Sequence, residues 1–314
     1  MKLYHQSFLL VFVLLASFFI NQLILGSPEI PDAILQETRP ASFVQAIAAS
    51  SYFETAVFSA NQPSAPSKKS NIQPPWIEAA AALAVDLKSG FEFFGFNVDK
   101  RWPIASLTKL MTALIVEEKI GDKKTALVSQ TAVATEGASG GLEAGGGYLV
   151  GDLIKAMMTV SSNDAAVALS EFYGDESFIK EMNVKAEALG MNQTKFFNPS
   201  GLSVLNQSTA NDLRKLAGII LADYPEIFVA SRERQLSIYE INSKKRIELP
   251  SINKFSGQPD FIGGKTGFLE EAQQNLLSIF RFNNRPVLII VLGSKNDRFE
   301  ETLKIFNWIK KAYE

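Results

Sequence analysis

The stretch Pro103-Ile104-Ala105-Ser106-Leu107-Thr108-Lys109-Leu110-Met111-Thr112-Ala113 carries the reading of this chain. Leu107, Leu110, Met111, Leu114 and Ile115 recur at helical spacing behind Pro103, which predicts an apolar-faced helix opening near Ser106. Ser106 and Lys109 lie three residues apart, so their side chains share one face of that helix. A serine in the first turn sits at the positive end of the helix dipole, where negative charge developing on oxygen is favoured. Lys109, once buried against the apolar face, loses proton affinity and can serve as a base near neutral pH. Serine activated by lysine is a known form of nucleophilic catalysis.

Composition narrows the chemistry further. The 314 residues include no cysteine and one histidine, His5, which lies inside an N-terminal apolar segment. Thiol nucleophiles, Ser-His-Asp triads and zinc sites built on Cys or His are thereby excluded. The net charge of −2 argues against nucleic acid as a partner, since that surface is basic.

The Ser-x-x-Lys pattern by itself is noisy, because it occurs at Ser106, Ser177 and Ser251. Ser-x-Asn occurs at Ser59, Ser161, Ser251 and Ser294, and Lys-Thr-Gly once, at Lys265-Thr266-Gly267. Ser161-Ser162-Asn163-Asp164 precedes the apolar run Ala165–Leu169. One reading is a plain helix cap, for which Ser, Asn and Asp are preferred. The other supplies a second hydroxyl to relay protons and an amide that holds a substrate carbonyl or Lys109. Gly263-Gly264-Lys265-Thr266-Gly267-Phe268 falls in a strand pattern, where glycines mark close approach by a ligand or another backbone. A phosphate-binding loop is excluded there, because Pro259 stands where its first glycine is required.

Order and spacing select among these matches. Ser106, Ser161 and Lys265 follow one another at intervals of 55 and 104 residues, on a helix, a helix start and a strand. The serine penicillin-recognising enzymes need that order. The chain resembles the D-alanyl-D-alanine carboxypeptidases of the low-molecular-weight penicillin-binding protein type, peptidase family S11, over about residues 76–314. The resemblance rests on the 103–113 stretch, on Ser162–Leu169, and on Asn198-Pro199-Ser200-Gly201-Leu202 followed by Ser208-Thr209-Ala210. It implies Ser106 as nucleophile and Lys109 as its base. Ser161, helped by Lys265, returns a proton to the leaving amine, and Asn163 orients the substrate. Backbone N–H groups of Ser106 and Phe268 would form the oxyanion hole. Lys265, Thr266, Gly267 and Phe268 would bind substrate. Arg298, in Asp297-Arg298-Phe299-Glu300, would receive the terminal carboxylate. No metal or organic cofactor is implied, and β-lactam antibiotics would be covalent inhibitors.

The expected reaction is removal of the terminal D-Ala from peptidoglycan stem peptides through an acyl-serine. Three other readings use the same motifs. One is a D,D-endopeptidase cutting peptidoglycan cross-links, and one is a catalytically silent penicillin-binding scaffold. The third is a β-lactamase, whose deacylating Glu would have to be near Glu187, at a spacing that does not fit. Phe268 stands where many family members have His after Lys-Thr-Gly, which leaves the backbone role intact and puts specificity in question.

Working outward, Ala79–Asp86 and Phe91–Val98 read as strands around the Lys88-Ser89-Gly90 turn. Residues from about 130 to 225 read as mostly helical. Phe261–Phe268, Asn275–Phe282 and Pro286–Leu292 read as three strands, followed by an amphipathic helix from about Glu300 to Tyr313. This is an α/β fold of the serine β-lactamase and transpeptidase type: an antiparallel sheet with helices on both faces and a helical subdomain. The last helix ends near the last residue, which leaves no room for the second β-rich domain and C-terminal anchor of well-known family members. Residues 27–75 read as a Pro- and Ser-rich spacer. Residues 8–26 are uncharged and apolar, and a membrane-spanning helix needs ~20 such residues. Residues 1–26 are expected to be a retained membrane anchor, with a cleaved signal segment as the alternative. Either places the body on the extracytoplasmic side of a bacterial cell membrane.

Overall fold

The computed structural model describes residues 65–69 and 71–313. The elements run in chain order as β1 (Ala81–Asp86), β2 (Glu92–Phe96), β3 (Trp102–Pro103), a 3₁₀ turn (Ala105–Leu107), α1 (Thr108–Lys119), β4 (Thr125–Leu127) and α2 (Gln130–Val133). β5 (Gly147–Leu149), α3 (Val150–Thr159), α4 (Asn163–Tyr173), α5 (Asp175–Ala188), β6 (Gln207–Ser208), α6 (Ala210–Asp223) and α7 (Glu226–Arg232) follow. The chain then forms β7 (Gln235–Tyr239), β8 (Arg246–Pro250), β9 (Phe261–Leu269), β10 (Gln273–Phe282), β11 (Arg285–Ser294) and α8 (Arg298–Ala312).

Five strands pair in the order β2-β1-β11-β10-β9, and every pairing is antiparallel. Side chains alternate between the faces of a strand, and here both faces are buried. Leu83, Val85, Leu277, Ile279, Leu288 and Ile290 pack into the larger core with the apolar sides of α1, α3, α4 and α6. Ala82, Ala84, Leu276, Val287, Ile289 and Val291 pack against Ile305, Phe306, Trp308 and Ile309 of α8. This is why β11 reads as an unbroken apolar run. The expected sheet with helices on both faces is present. β9 is an edge strand, so one of its margins stays open toward the helical region, and the site assembles there.

The structure departs from the sequence reading in four places. Ser106 does not lie in the first turn of an α-helix: Ala105–Leu107 form a 3₁₀ turn and the α-helix begins at Thr108. Ala105 has φ +48°, and a left-handed residue cannot belong to a right-handed helix. Ser161 is not the cap of α4 either. Ser162 is, accepting from the Ala165 N–H, while Ser161 lies one residue ahead at φ +63°. The hairpin β7–β8 is absent from the sequence reading: its strands are five residues each, bury Ile238 and Leu249 in the core, and leave Gln235, Tyr239, Arg246, Glu248 and Pro250 exposed.

The fourth departure concerns the spacer. Lys69 and Ile72 lie along α8: Lys69 N–H donates to Ala312 O at 2.8 Å and Trp308 Nε1 to Ile72 O at 3.0 Å. The folded body thus includes residues placed in the spacer on composition alone. Among the described residues no helix is long and apolar enough to cross a membrane. The anchor expected over residues 1–26, and most of the expected spacer, lie outside the described residues.

Candidate active site

Backbone contacts come first in the construction of the site. The 3₁₀ turn carrying Ser106 is wedged between β9 and the loop at Ser200-Gly201, and glycine is required on both sides. A Cβ on Gly201, at φ +87°, would stand 2.0 Å from Ala105 O. A Cβ on Gly267 would stand 2.8 Å from Ile104 O and 3.2 Å from Ser106 N. Glycine here serves close approach of one backbone to another. Asn206 holds the opposite side, its side-chain amide donating to Thr108 Oγ1 at 3.0 Å and its backbone carbonyl accepting from Ile104 N–H at 3.0 Å.

Onto this frame the side chains converge. Lys109 Nζ donates to Ser106 Oγ at 3.0 Å, Asn163 Oδ1 at 2.7 Å and Ser200 O at 2.6 Å. An ammonium has three donors, and these partners account for all of them. Lys109 is fully buried, and that burial brings its pKa down to about 7, against the pull of the Asp164 charge. Lys265 lies opposite Leu277 in the β9–β10 register, so it shares that residue's face of the sheet, toward the helices. Its Nζ donates to Ser161 Oγ and to Thr266 O, each at 2.8 Å. Burial again lowers its pKa, well below the ordinary lysine range, with Lys109 and Arg298 adding repulsion.

A cavity of about 300 Å³ opens onto these groups. Ser106, Ser161, Asn163, Thr266, Gly267, Phe268 and Arg298 line it, so each of these sequence-derived candidates reaches one space. Lys109 and Lys265 stand behind Ser106 and Ser161 rather than in the wall. Arg298 donates from Nη1 to Gly267 O at 2.7 Å, while its buried Nε has no partner among the described residues. The two readings of Asn163 narrow: its Oδ1 holds Lys109 and its Nδ2 donates to Glu136 O at 2.7 Å.

The competing motif matches fall away on position. Ser177 is on the exposed side of α5. Ser251 Oγ bonds Ser256 Oγ at 2.7 Å, and Lys254 pairs with Asp297 at 2.8 Å, outside the cavity. Sequence reasoning missed several contributors to the wall, among them Gly137 and Ala138 before α3, Ile252 after β8 and Leu269 at the end of β9. A glycine-rich link and a lone isoleucine carry no signal of their own in one sequence.

The family model described as D-alanyl-D-alanine carboxypeptidase matches residues 68–296. D-alanyl-D-alanine carboxypeptidase DacC of Escherichia coli is 30% identical over 268 residues, covering 80% of this chain and 66% of that relative's length. A D-alanyl-D-alanine endopeptidase of Escherichia coli is 32% identical over 245 residues, covering 75% of this chain and 78% of the relative. Among solved structures, penicillin-binding protein D2 from Listeria monocytogenes, in its cefotaxime-bound form, superposes with a TM-score of 0.63 at 30% identity. That match covers 75% of this chain and 98% of the other. With most of its length matched and its folded body built in the same way, the chain belongs to the D-alanyl-D-alanine carboxypeptidase family of serine peptidases.

Proposed function

We propose that the chain removes the terminal D-Ala from peptidoglycan stem peptides, with Ser106 as nucleophile. The observation that carries this is Lys109 Nζ at 3.0 Å from Ser106 Oγ with its proton affinity reduced to the neutral range. A neutral amine at that distance can take the hydroxyl proton as Oγ attacks the carbonyl carbon of the penultimate D-Ala. Negative charge then collects on the carbonyl oxygen, and the backbone N–H groups of Ser106 and Phe268 receive it. As the C–N bond breaks, Ser161 gives its proton to the departing amine and draws a replacement from Lys265. Thr266 and Arg298 hold the carboxylate of the departing D-Ala. Water attacks the acyl-serine and gives up a proton through Ser161 to Lys265, the C–O bond to Ser106 breaks, and Lys109 returns to Oγ the proton it took. β-Lactams acylate the same oxygen. Apart from the attacking water, every step above uses the chain's own groups.

Cross-link cleavage is the second reading, favoured by the 32% identity to the Escherichia coli endopeptidase. The apolar stretch at residues 8–26 supports a body held at the outer face of the cell membrane. The test gives the full chain a stem pentapeptide ending in D-Ala-D-Ala and, separately, a cross-linked muropeptide dimer. D-Ala release by wild type and not by Ser106→Ala is expected. Cleavage of the dimer alone selects the endopeptidase. Penicillin labelling that persists in Ser106→Ala sinks the assignment of the nucleophile.

A further inference from the structure

Asp164 has no part in the chemistry described so far, yet it is a carboxylate only 1% exposed, bonded to Ser139 and Gly140 just beyond the wall residues Gly137 and Ala138. It stands in the first turn of α4, beside Asn163. Its Oδ1 accepts from Gly140 N–H at 2.9 Å, from Ala165 N–H at 3.0 Å and from Ser162 Oγ. Its Oδ2 accepts from Ser139 Oγ at 2.8 Å and again from Gly140 N–H at 3.0 Å. All of these donors are neutral, and the positive end of α4 supports the charge. Two of them, Ser139 and Gly140, belong to a different segment of chain.

That segment, residues 136–140, is bound to α4 from both sides. Asn163 N–H donates to Ala138 O at 2.7 Å and Asn163 Nδ2 to Glu136 O at 2.7 Å. The approach is close enough to exclude side chains. A Cβ on Gly137 would stand 2.9 Å from Asn163 Nδ2, and one on Gly140 2.8 Å from Ser162 Oγ. Gly137 and Ala138 in turn line the cavity in front of Ser106. The same Asn163 amide that grips the loop through Nδ2 presents Oδ1 to Lys109.

We infer that Asp164 is a positioning residue: its carboxylate clamps residues 139–140 to the start of α4, and so fixes the Asn163 amide against Lys109 and the cavity wall in front of Ser106. The inference rests on the reading of Ser106 and Lys109 as nucleophile and base. The carboxylate also acts at longer range. The charged groups that face Lys109 are Asp164 from α4 and Lys265 from β9, with Arg298 from α8 behind Lys265. Asp164 is the anion among them and favours the protonated amine. Glu136 contributes its backbone carbonyl to the network.

The test uses full-length wild type, Asp164→Asn and Ser139→Ala. It follows the rate of Ser106 acylation by penicillin against pH, and kcat and KM for D-Ala release. Asp164→Asn keeps the side chain's size, removes the charge, and puts an NH₂ where Gly140 or Ser139 donates. We expect acylation to fall at least tenfold, kcat to fall more than KM rises, and the acid limb of the profile to move to lower pH. Ser139 is exposed, so Ser139→Ala folds; it takes one bond from the clamp and leaves the charge. Its acylation falls several-fold with the acid limb unmoved. An Asp164→Asn protein with wild-type acylation and an unmoved limb overturns the inference, even if it melts earlier. If Asp164→Asn does not fold, Ser139→Ala acylating within twofold of wild type overturns it. Wild type that penicillin does not acylate defeats the reading of Ser106 first, a result separate from either of these.

Discussion

Lys109 decides the pH at which the site can work. Its ordinary pKa near 10.4 would leave almost no free amine at neutral pH, whereas burial places it at about 7. The base is the deprotonated form, so activity is present above that value and is lost as the pH falls through it. Penicillin acylation of wild type is expected to rise about tenfold per pH unit below 7 and to level off above it, read from acylation rates at constant ionic strength. Lys109→Arg keeps a charge that does not dissociate and should lose about 10²–10⁴-fold at every pH. The same shift has a consequence for stability. Between about pH 7 and 10.4 the unfolded chain binds a proton on this lysine that the folded chain does not, so folding becomes more favourable as pH rises through that window. Lys265, also lowered by burial, contributes with the same sign.

At the scale of the element, the 3₁₀ turn is the feature on which the rest depends. It exists because Ala105 takes a left-handed conformation with Gly201 and Gly267 pressed against its backbone. Replacing Gly201 by alanine adds a Cβ where Ala105 O already stands and forces a side chain onto φ +87°. The two costs together are about 2–5 kcal/mol. Gly201→Ala should lower the urea midpoint accordingly and cut penicillin acylation by more than the unfolded fraction accounts for, because the displaced turn carries Ser106. A variant destabilised to that degree but acylated at the wild-type rate would show that the turn tolerates displacement. Helical spacing made Ser106 and Lys109 visible as a pair. It gave no sign of the 3₁₀ turn, since nothing in Ile104-Ala105-Ser106 marks Ala105 as left-handed. The strain is imposed by neighbours about 100 and 160 residues away in sequence.

At the scale of the whole molecule, the sheet joins two cores, and the second is closed by α8 with a strap at Lys69 and Ile72 alongside it. A chain beginning at Trp76 loses the bonds from Lys69 N–H and to Ile72 O, each contributing about 0.5–1.5 kcal/mol. It should melt a few degrees below a chain beginning at Ala65, at about 2–4 °C per kcal/mol for a domain of this size. Calorimetry on the two fragments checks this, and equal melting temperatures would show that the strap contributes nothing. Activity per folded molecule should be equal, because the strap touches α8 at its C-terminal half while Arg298 lies at its first residue.

The order of Ser106, Ser161 and Lys265, the continuous apolar runs that bury both faces of the sheet, and the absence of any body histidine were all determined by sequence, since each depends on residue type and spacing alone. The pairing of Lys109 with Asn163, the tie from Asp164 to residues 139–140, the wall contributed by Ile252, and the pKa of about 7 at Lys109 were decided by tertiary structure. Hydrogen bonding between distant segments and loss of solvent both depend on which surfaces meet. In one sequence Asp164 reads as one more polar residue at a helix start, and it becomes a clamp only when the loop folds back against it.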